Sequence, residues 1–288
     1  MDDTDKKIDT HLTDSDSVTI MEKLLHRYMR PRTAKKQLFL NYKGGTGKTS
    51  ISAAYGYYLA SMGKKVLMVD LDAQAHLTAC LNHEGLGQDK SLYSVILKGA
   101  RLSEVTLSTS IPNLKLVSSS TSLSALEVPL FRMPLREFQL RKALRAAEKE
   151  YDYIIIDSAP SIGLLSLNAI LASDEILIPM LADFLSFHGL KVLMETLASI
   201  EKDFNFYLGK IHIFLNRYNV LYPICKECKE AVQKFYPEYL LKTVINESPE
   251  IIDASSVGKS VFELHPGSQV AGDIKDLVHE ANPALSAT

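Results

Sequence analysis

The sequence predicts an α/β fold, a doubly wound, mostly parallel sheet flanked by helices on both faces. Three observations predict it. Apolar runs of strand length recur along the chain, stretches of helical pattern separate them, and the runs are near-continuous in Val, Ile and Leu. A strand that is apolar on both faces must be covered on both faces, which parallel strands with helical crossovers achieve. Right-handed crossovers then leave the ligand site at the carboxyl ends of the strands.

Taken in order, residues 1–36 stand apart. Residues 1–17 carry six aspartates against two lysines, whereas Lys23, Arg27, Arg30, Arg32, Lys35 and Lys36 face only Glu22 over residues 18–36. Ile20, Met21, Leu24, Leu25, Tyr28 and Met29 recur at helical spacing, and Pro31 closes that stripe. The reading is an acidic tail, a short basic amphipathic helix and a linker, followed by one domain over 37–288. Within it, strands are expected at 38–42, 65–72, 114–117, 153–158, 175–180 and 211–216. Helices are expected at 48–62, 134–150, 163–173, 186–203 and 226–236.

A hydrophobic fraction of 46% and a charged fraction of 23% over 288 residues are those of an ordinary globular protein. A net charge of −2 argues against a chain that is basic all over, so any nucleic-acid contact has to be local. No apolar run approaches the roughly 20 residues that span a bilayer, and the polar N-terminus is not a secretory signal. A cytoplasmic protein is expected. Cys225 and Cys228 form one CxxC without a second pair or a histidine couple, which disfavours a four-ligand zinc site. They read instead as two positions one turn apart on a surface helix.

The chemistry lies in Lys43-Gly44-Gly45-Thr46-Gly47-Lys48-Thr49, between the strand at 38–42 and an Ala- and Tyr-rich helix. Glycines let the backbone wrap with its N–H groups turned inward, and the helix N-terminus adds positive potential, so phosphates are cradled. Lys48 is expected on the β- and γ-phosphates and the Thr49 hydroxyl on Mg²⁺. The nucleotide-binding set runs from Lys43 through Ser50, with ATP and Mg²⁺ as the cofactors.

The lysine that precedes the first glycine makes KGGTGKT a deviant Walker A motif, and here the chain resembles the ParA/MinD family of ATPases, closest to its short ParA type. VLMVDLDAQAHLT (66–78) is similar to the family's second motif, and YDYIIIDSAPSIGLLSLNAI (151–170) to its Walker B segment and following helix. SDEILIPM (173–180), FLNRY (214–218) and ASSVGKSVFELHPGS (254–268) fit later segments, so the resemblance covers nearly all of 37–281. It implies a face-to-face dimer of ATP-bound subunits in which Lys43 reaches the partner's phosphates. It assigns the orientation of the attacking water to Asp72 and the Walker B acid, acting on Mg²⁺, to Asp157. Asp70, two residues before Asp72 on one strand, supports Mg²⁺ or the loop. Asn216 matches the asparagine that reads the adenine edge, although an asparagine after a strand is also a common turn residue.

The implied function is an ATP-dependent switch that partitions or positions DNA or a protein assembly. Its hydrolysis would be stimulated by an adaptor, ParB-like or specific to the cargo. Other readings are a metabolic enzyme on the same fold and an ATP-binding scaffold without turnover. Some residues depart from the family. Thr46, Ala73 and Ser158-Ala159-Pro160 replace commoner residues, and Glu247 and Glu250 stand where DNA-contacting arginines often fall. Carboxylates repel phosphates, so non-specific DNA binding would have to use other cations, such as the N-terminal lysines. The polar C-terminal segment has no basic amphipathic character, which disfavours a MinD-like membrane anchor.

Overall fold

The computed structural model describes residues 34–83 and 90–287. The acidic tail, the basic helix and most of the linker expected at 1–36 lie outside the described residues. Eight strands form one sheet: β1 (Lys35–Phe39), β2 (Val66–Leu71), β3 (Thr106–Ser108), β4 (Leu114–Val117), β5 (Tyr153–Ser158), β6 (Glu175–Leu181), β7 (Lys210–Tyr218) and β8 (Leu240–Asn246). Their order is β3-β4-β2-β5-β1-β6-β7-β8. All neighbours pair in parallel except β3 and β4.

The helices used below are α1 (Lys48–Ser61), α2 (His76–Cys80), α3 (Leu92–Lys98), α4 (Gln139–Leu144), α5 (Leu164–Ala172), α6 (Phe184–Phe204), α7 (Pro223–Phe235), α8 (Glu250–Ser256) and α9 (Gln269–Ala281). The core divides by strand periodicity. Leu38 and Leu40 of the β1 segment pack on one side of the sheet with α5 and α6, while Phe39 between them packs on the other with α1 and α9. There the Phe39 and Tyr55 rings meet edge to face, 5.4 Å apart. This is the doubly wound, mostly parallel sheet the sequence predicts.

Three of the departures from expectation have a tertiary reason. β1 begins at Lys35, so Lys35 and Lys36 belong to the sheet and not to a linker. Lys36 is 1% exposed, and its ammonium lies 2.7 Å from Glu148 and 3.2 Å from Asp174. The stretch 134–150 is broken into turns around α4 because Asn168 takes over its backbone groups. The Asn168 Oδ1 accepts from Leu140 N at 3.1 Å, and its Nδ2 donates to Arg136 O at 2.8 Å. β8 is a strand that its mixed composition does not signal. Glu280 of α9 accepts from Lys242 N and Thr243 N at 2.7 and 2.8 Å, capping edge amides that would otherwise be open.

At the amino end of the central strands a polar cluster ties β1, β6 and the residue after α9 together. Lys35 Nζ and Gln37 Nε2 each lie 2.8 Å from Glu175 Oε2, and Asn282 bridges Lys35 to the buried Tyr55 hydroxyl. Burial alone would raise the Glu175 carboxyl, but the His212 ring at 3.6 Å, Lys35 and Gln37 outweigh it and hold it down at about 2. Its folded value lies below its unfolded one. Its contribution to stability is therefore complete above about pH 4.3 and is lost as pH falls toward the folded value. Acid unfolding followed by circular dichroism is expected to begin in that window, and Lys35→Met is expected to move the midpoint to higher pH. In urea, Lys36→Ala should cost about 3 kcal/mol, because it strips a buried cation from two carboxylates.

Candidate functional site

The carboxyl ends of β1, β2, β5 and β7 converge on the loop that follows β1. Its first glycines face open space: a Cβ on Gly44 or Gly45 would meet nothing within 4 Å. That is the cradle a phosphate chain needs. Gly45 and Gly47 adopt left-handed φ of 74° and 91°, which L side chains rarely tolerate. α1 opens at Lys48 with no side-chain cap and no acidic residue in its first turn. Its first amides are thus left for a ligand, and the helix adds positive potential there.

Neighbouring strands brace this loop. Asn41 accepts from Lys43 N at 2.9 Å and donates to Pro179 O at 2.8 Å, tying the exit of β1 to β6. Asn216, at the end of β7, donates Nδ2 to Thr46 O at 2.8 Å. A Cβ on Gly47 would collide with that same nitrogen. Asn216 is 5% exposed and braces the phosphate loop from within β7, so it is not an ordinary turn residue. Lys48, 6% exposed, arches over the loop with its ammonium 3.3 Å from Lys43 O. Burial lowers its pKa, while Asp157 and Asp72 oppose that shift.

β2 and β5 supply the acids. The register sets Asp70 beside Asp157 on adjacent strands and Phe39 beside Asp157 on the other side. The Thr49 hydroxyl donates to Asp157 Oδ2 at 2.7 Å, and Asp157 Oδ1 is buried without a hydrogen-bond partner. An orphaned carboxylate oxygen beside a threonine hydroxyl is a donor set suited to a hard cation such as Mg²⁺. Burial, helped by the Asp70 charge, pushes the Asp157 carboxyl up to about 8. Asp70 is raised by burial to about 6 while accepting from Asp72 N, Thr78 N and Thr78 Oγ1 at 3.0, 2.9 and 2.7 Å. Asp70 thus holds the 72–78 loop. Asp72 is 9% exposed, and Gln74 N binds its Oδ1 at 2.9 Å, which leaves Oδ2 for a solvent molecule.

Lys43 is turned elsewhere. Its ammonium lies 2.8 Å from Ser186 Oγ and 3.2 Å from Asp183 Oδ2, at the start of α6. Asp183 also caps that helix through Ser186 N at 2.7 Å. No local pattern marks Asn41, Asp183 or Ser186 as site residues. The Asp183-x-x-Ser186 spacing is a helix-cap signal, but nothing in it points to Lys43. Cys225 and Cys228 lie on α7 as expected, though both side chains are buried against the core, and burial pushes the Cys228 thiol up to about 11. Among the described residues no cluster of His, Cys, Asp and Glu could hold a metal by itself, and no helix is long and apolar enough to cross a membrane.

An AAA-domain family model matches residues 34–210. The cell division protein PomZ of Myxococcus xanthus is 43% identical over 272 residues, 94% of this chain and 85% of that protein. The sporulation initiation inhibitor protein Soj of Bacillus subtilis is 33% identical, covering 83% of this chain and 95% of its own. The chain belongs to the ParA/MinD family of ATPases. Among solved structures, the ATP complex of a Cyanothece McdA variant superposes with a TM-score of 0.79 at 26% identity, covering 86% of this chain and 96% of McdA. ParA/MinD proteins are partition and positioning ATPases.

Gly47→Ala combines a strained φ with a clash against Asn216. Calorimetric titration with ATP and Mg²⁺ is expected to show binding weakened by at least about a hundredfold, since backbone strain and a displaced hydrogen bond together cost about 3 kcal/mol. Asp157→Asn keeps the volume but removes the charge, and should abolish the Mg²⁺ dependence of nucleotide binding in the same titration.

Proposed function

We propose that this chain is a dimerising ATP switch that partitions or positions a cargo, with hydrolysis accelerated by an adaptor. One observation carries the reading. The phosphate loop already has a lysine, Lys48, bent over it, while the second lysine, Lys43, is held outside the loop on Asp183 and Ser186. A cation not needed by its own loop is available to the phosphates of a second subunit.

Magnitudes favour that transfer. The Lys43–Asp183 pair is about a third exposed on each side, and such pairs contribute roughly 0.2–1 kcal/mol. A charge-assisted hydrogen bond to a phosphate in a closed interface is worth about 1.5–3 kcal/mol. The parked lysine is therefore released when a triphosphate is offered across a dimer, and not before. Lys48 and the α1 amides bind the phosphates, and Asn216, besides bracing the loop, meets the adenine edge. Thr49 and Asp157 would hold Mg²⁺, which supplies charge neutralisation on the β- and γ-phosphates when bound. Asp72, anchored by Gln74 N, orients the attacking water, and Lys43 offsets charge on the equatorial oxygens.

The surface bound by the dimer is a further part of this reading. Glu247 is exposed after β8, and the Ser248 hydroxyl turns toward Glu250, so this edge offers carboxylates to DNA where cations would be needed. DNA binding and nucleoid association then depend on the basic residues of 18–32, and the adaptor is ParB-like or belongs to the cargo. The protein works in the cytoplasm.

Asp72→Ala is expected to bind ATP with unchanged affinity, release no phosphate above background, and elute as a dimer with ATP and a monomer without it. Lys43→Ala should stay monomeric in both conditions by light scattering. A monomeric Asp72→Ala protein in saturating ATP would refute the switch. Asp183→Ala, which unparks Lys43, is expected to dimerise at about two- to fivefold lower ATP concentration, the ratio that corresponds to one exposed ion pair.

A further inference from the structure

Away from the nucleotide cleft, a groove of about 710 Å³ runs between α3 and α4. Lys115 is the second residue of β4, and Glu150 and Tyr151 lead into β5, so these strands contribute their amino ends to the groove. The phosphate loop leaves the carboxyl end of β1. Whatever occupies the groove does not compete with the face on which Lys43 lies.

The floor is apolar, built from Ile96, Leu97, Leu102, Met133 and the Tyr151 ring. Its rim carries Lys98, Arg101, Lys115 and Lys142, and among the described residues Glu150 is the one lining carboxylate. Arg101 is partnered by Glu104 at 2.6 Å, while Lys115 and Lys142 are exposed and have no ion-pair partner among the described residues. An excess of cations around an apolar concavity, on a chain whose net charge is −2, is a local device and not a general property of the surface.

We propose that this groove docks an acidic amphipathic helix of a partner protein. Such a helix lays an apolar stripe on the floor and sets its carboxylates against the rim. The volume suits a few bulky side chains of one helix face. Duplex DNA would pair with the cations but leave the apolar floor against water, because its backbone is hydrophilic and too stiff to enter. A second copy of this chain pairing through the same face would set cations against cations. The proposal reaches beyond the switch reading and stands without it, since it concerns binding at a place remote from the phosphate loop.

The test uses the full chain and a fluorescein-labelled helical peptide with leucines on one face and glutamates on the other, read by fluorescence anisotropy. The expected result is micromolar binding. The Lys115→Glu, Lys142→Glu double variant should weaken it at least about tenfold, and a scrambled peptide of the same composition should bind no better than that variant. Ala146→Gln, which narrows the groove without changing charge, is expected to weaken binding several-fold. It keeps the question decidable should the double variant melt at a lower temperature than the parent. Saturating ATP and Asp157→Asn should leave peptide binding unchanged, which separates this site from the nucleotide cleft. Equal binding of parent and both variants, equal binding of the scrambled peptide, or no binding at all would overturn the proposal. So would duplex DNA that displaces the peptide and itself loses affinity in the double variant, since the patch would then be a nucleic-acid contact.

Discussion

A carboxylate buried at the end of a central strand, with one oxygen satisfied and the other not, is the constraint on which the carboxyl edge of this sheet depends. Asp157 is fully buried and has one hydroxyl, Thr49, to bind it. A charge in such a place is costly unless a cation arrives, and burial pushes its proton affinity upward accordingly. Asp70 beside it deepens the cost, and Lys48 only partly offsets it. The cleft is therefore prepared for a cation beside Asp157, a place that Mg²⁺ suits, while the loop amides suit the phosphates of the nucleotide.

Rigid supports around that carboxylate set the precision of the site. Asn41 and Asn216 brace the loop at two points, one tied to β6 and the other seated on β7. Asp70 does the same for the loop that carries Asp72. Each brace uses a buried, short polar side chain at a strand end, where the backbone on either side is already held by sheet pairing. Lys43 is held more loosely, because it and Asp183 are partly exposed and the ion pair between them is weak.

The apolar strands, their order along the chain and the phosphate loop are legible in the sequence because each is a local pattern: period, glycine placement, and a lysine–threonine pair at a helix start. Asp157 and Asp72 are singled out by the resemblance to the family, since acids that end apolar strands can equally be helix caps. Lys35 and Lys36 mislead, since charge sign suggests a solvated linker, and only Glu175, Glu148 and Asp174 on other segments make them sheet residues. The stretch 134–150 misleads similarly. Its helical period is real, but a single carboxamide from α5 redirects its backbone hydrogen bonds.

What the sequence by itself determined is the fold class and the nucleotide chemistry, because these depend on short spacings along one stretch of backbone. What only the tertiary structure decided is which groups meet across strands: Thr49 with Asp157, Asn216 with Thr46, and Lys43 with Asp183 and Ser186. Those pairs are separated by more than a hundred positions in the chain, and a charge or an amide carries no mark of its distant partner. Sheet order and register bring them together.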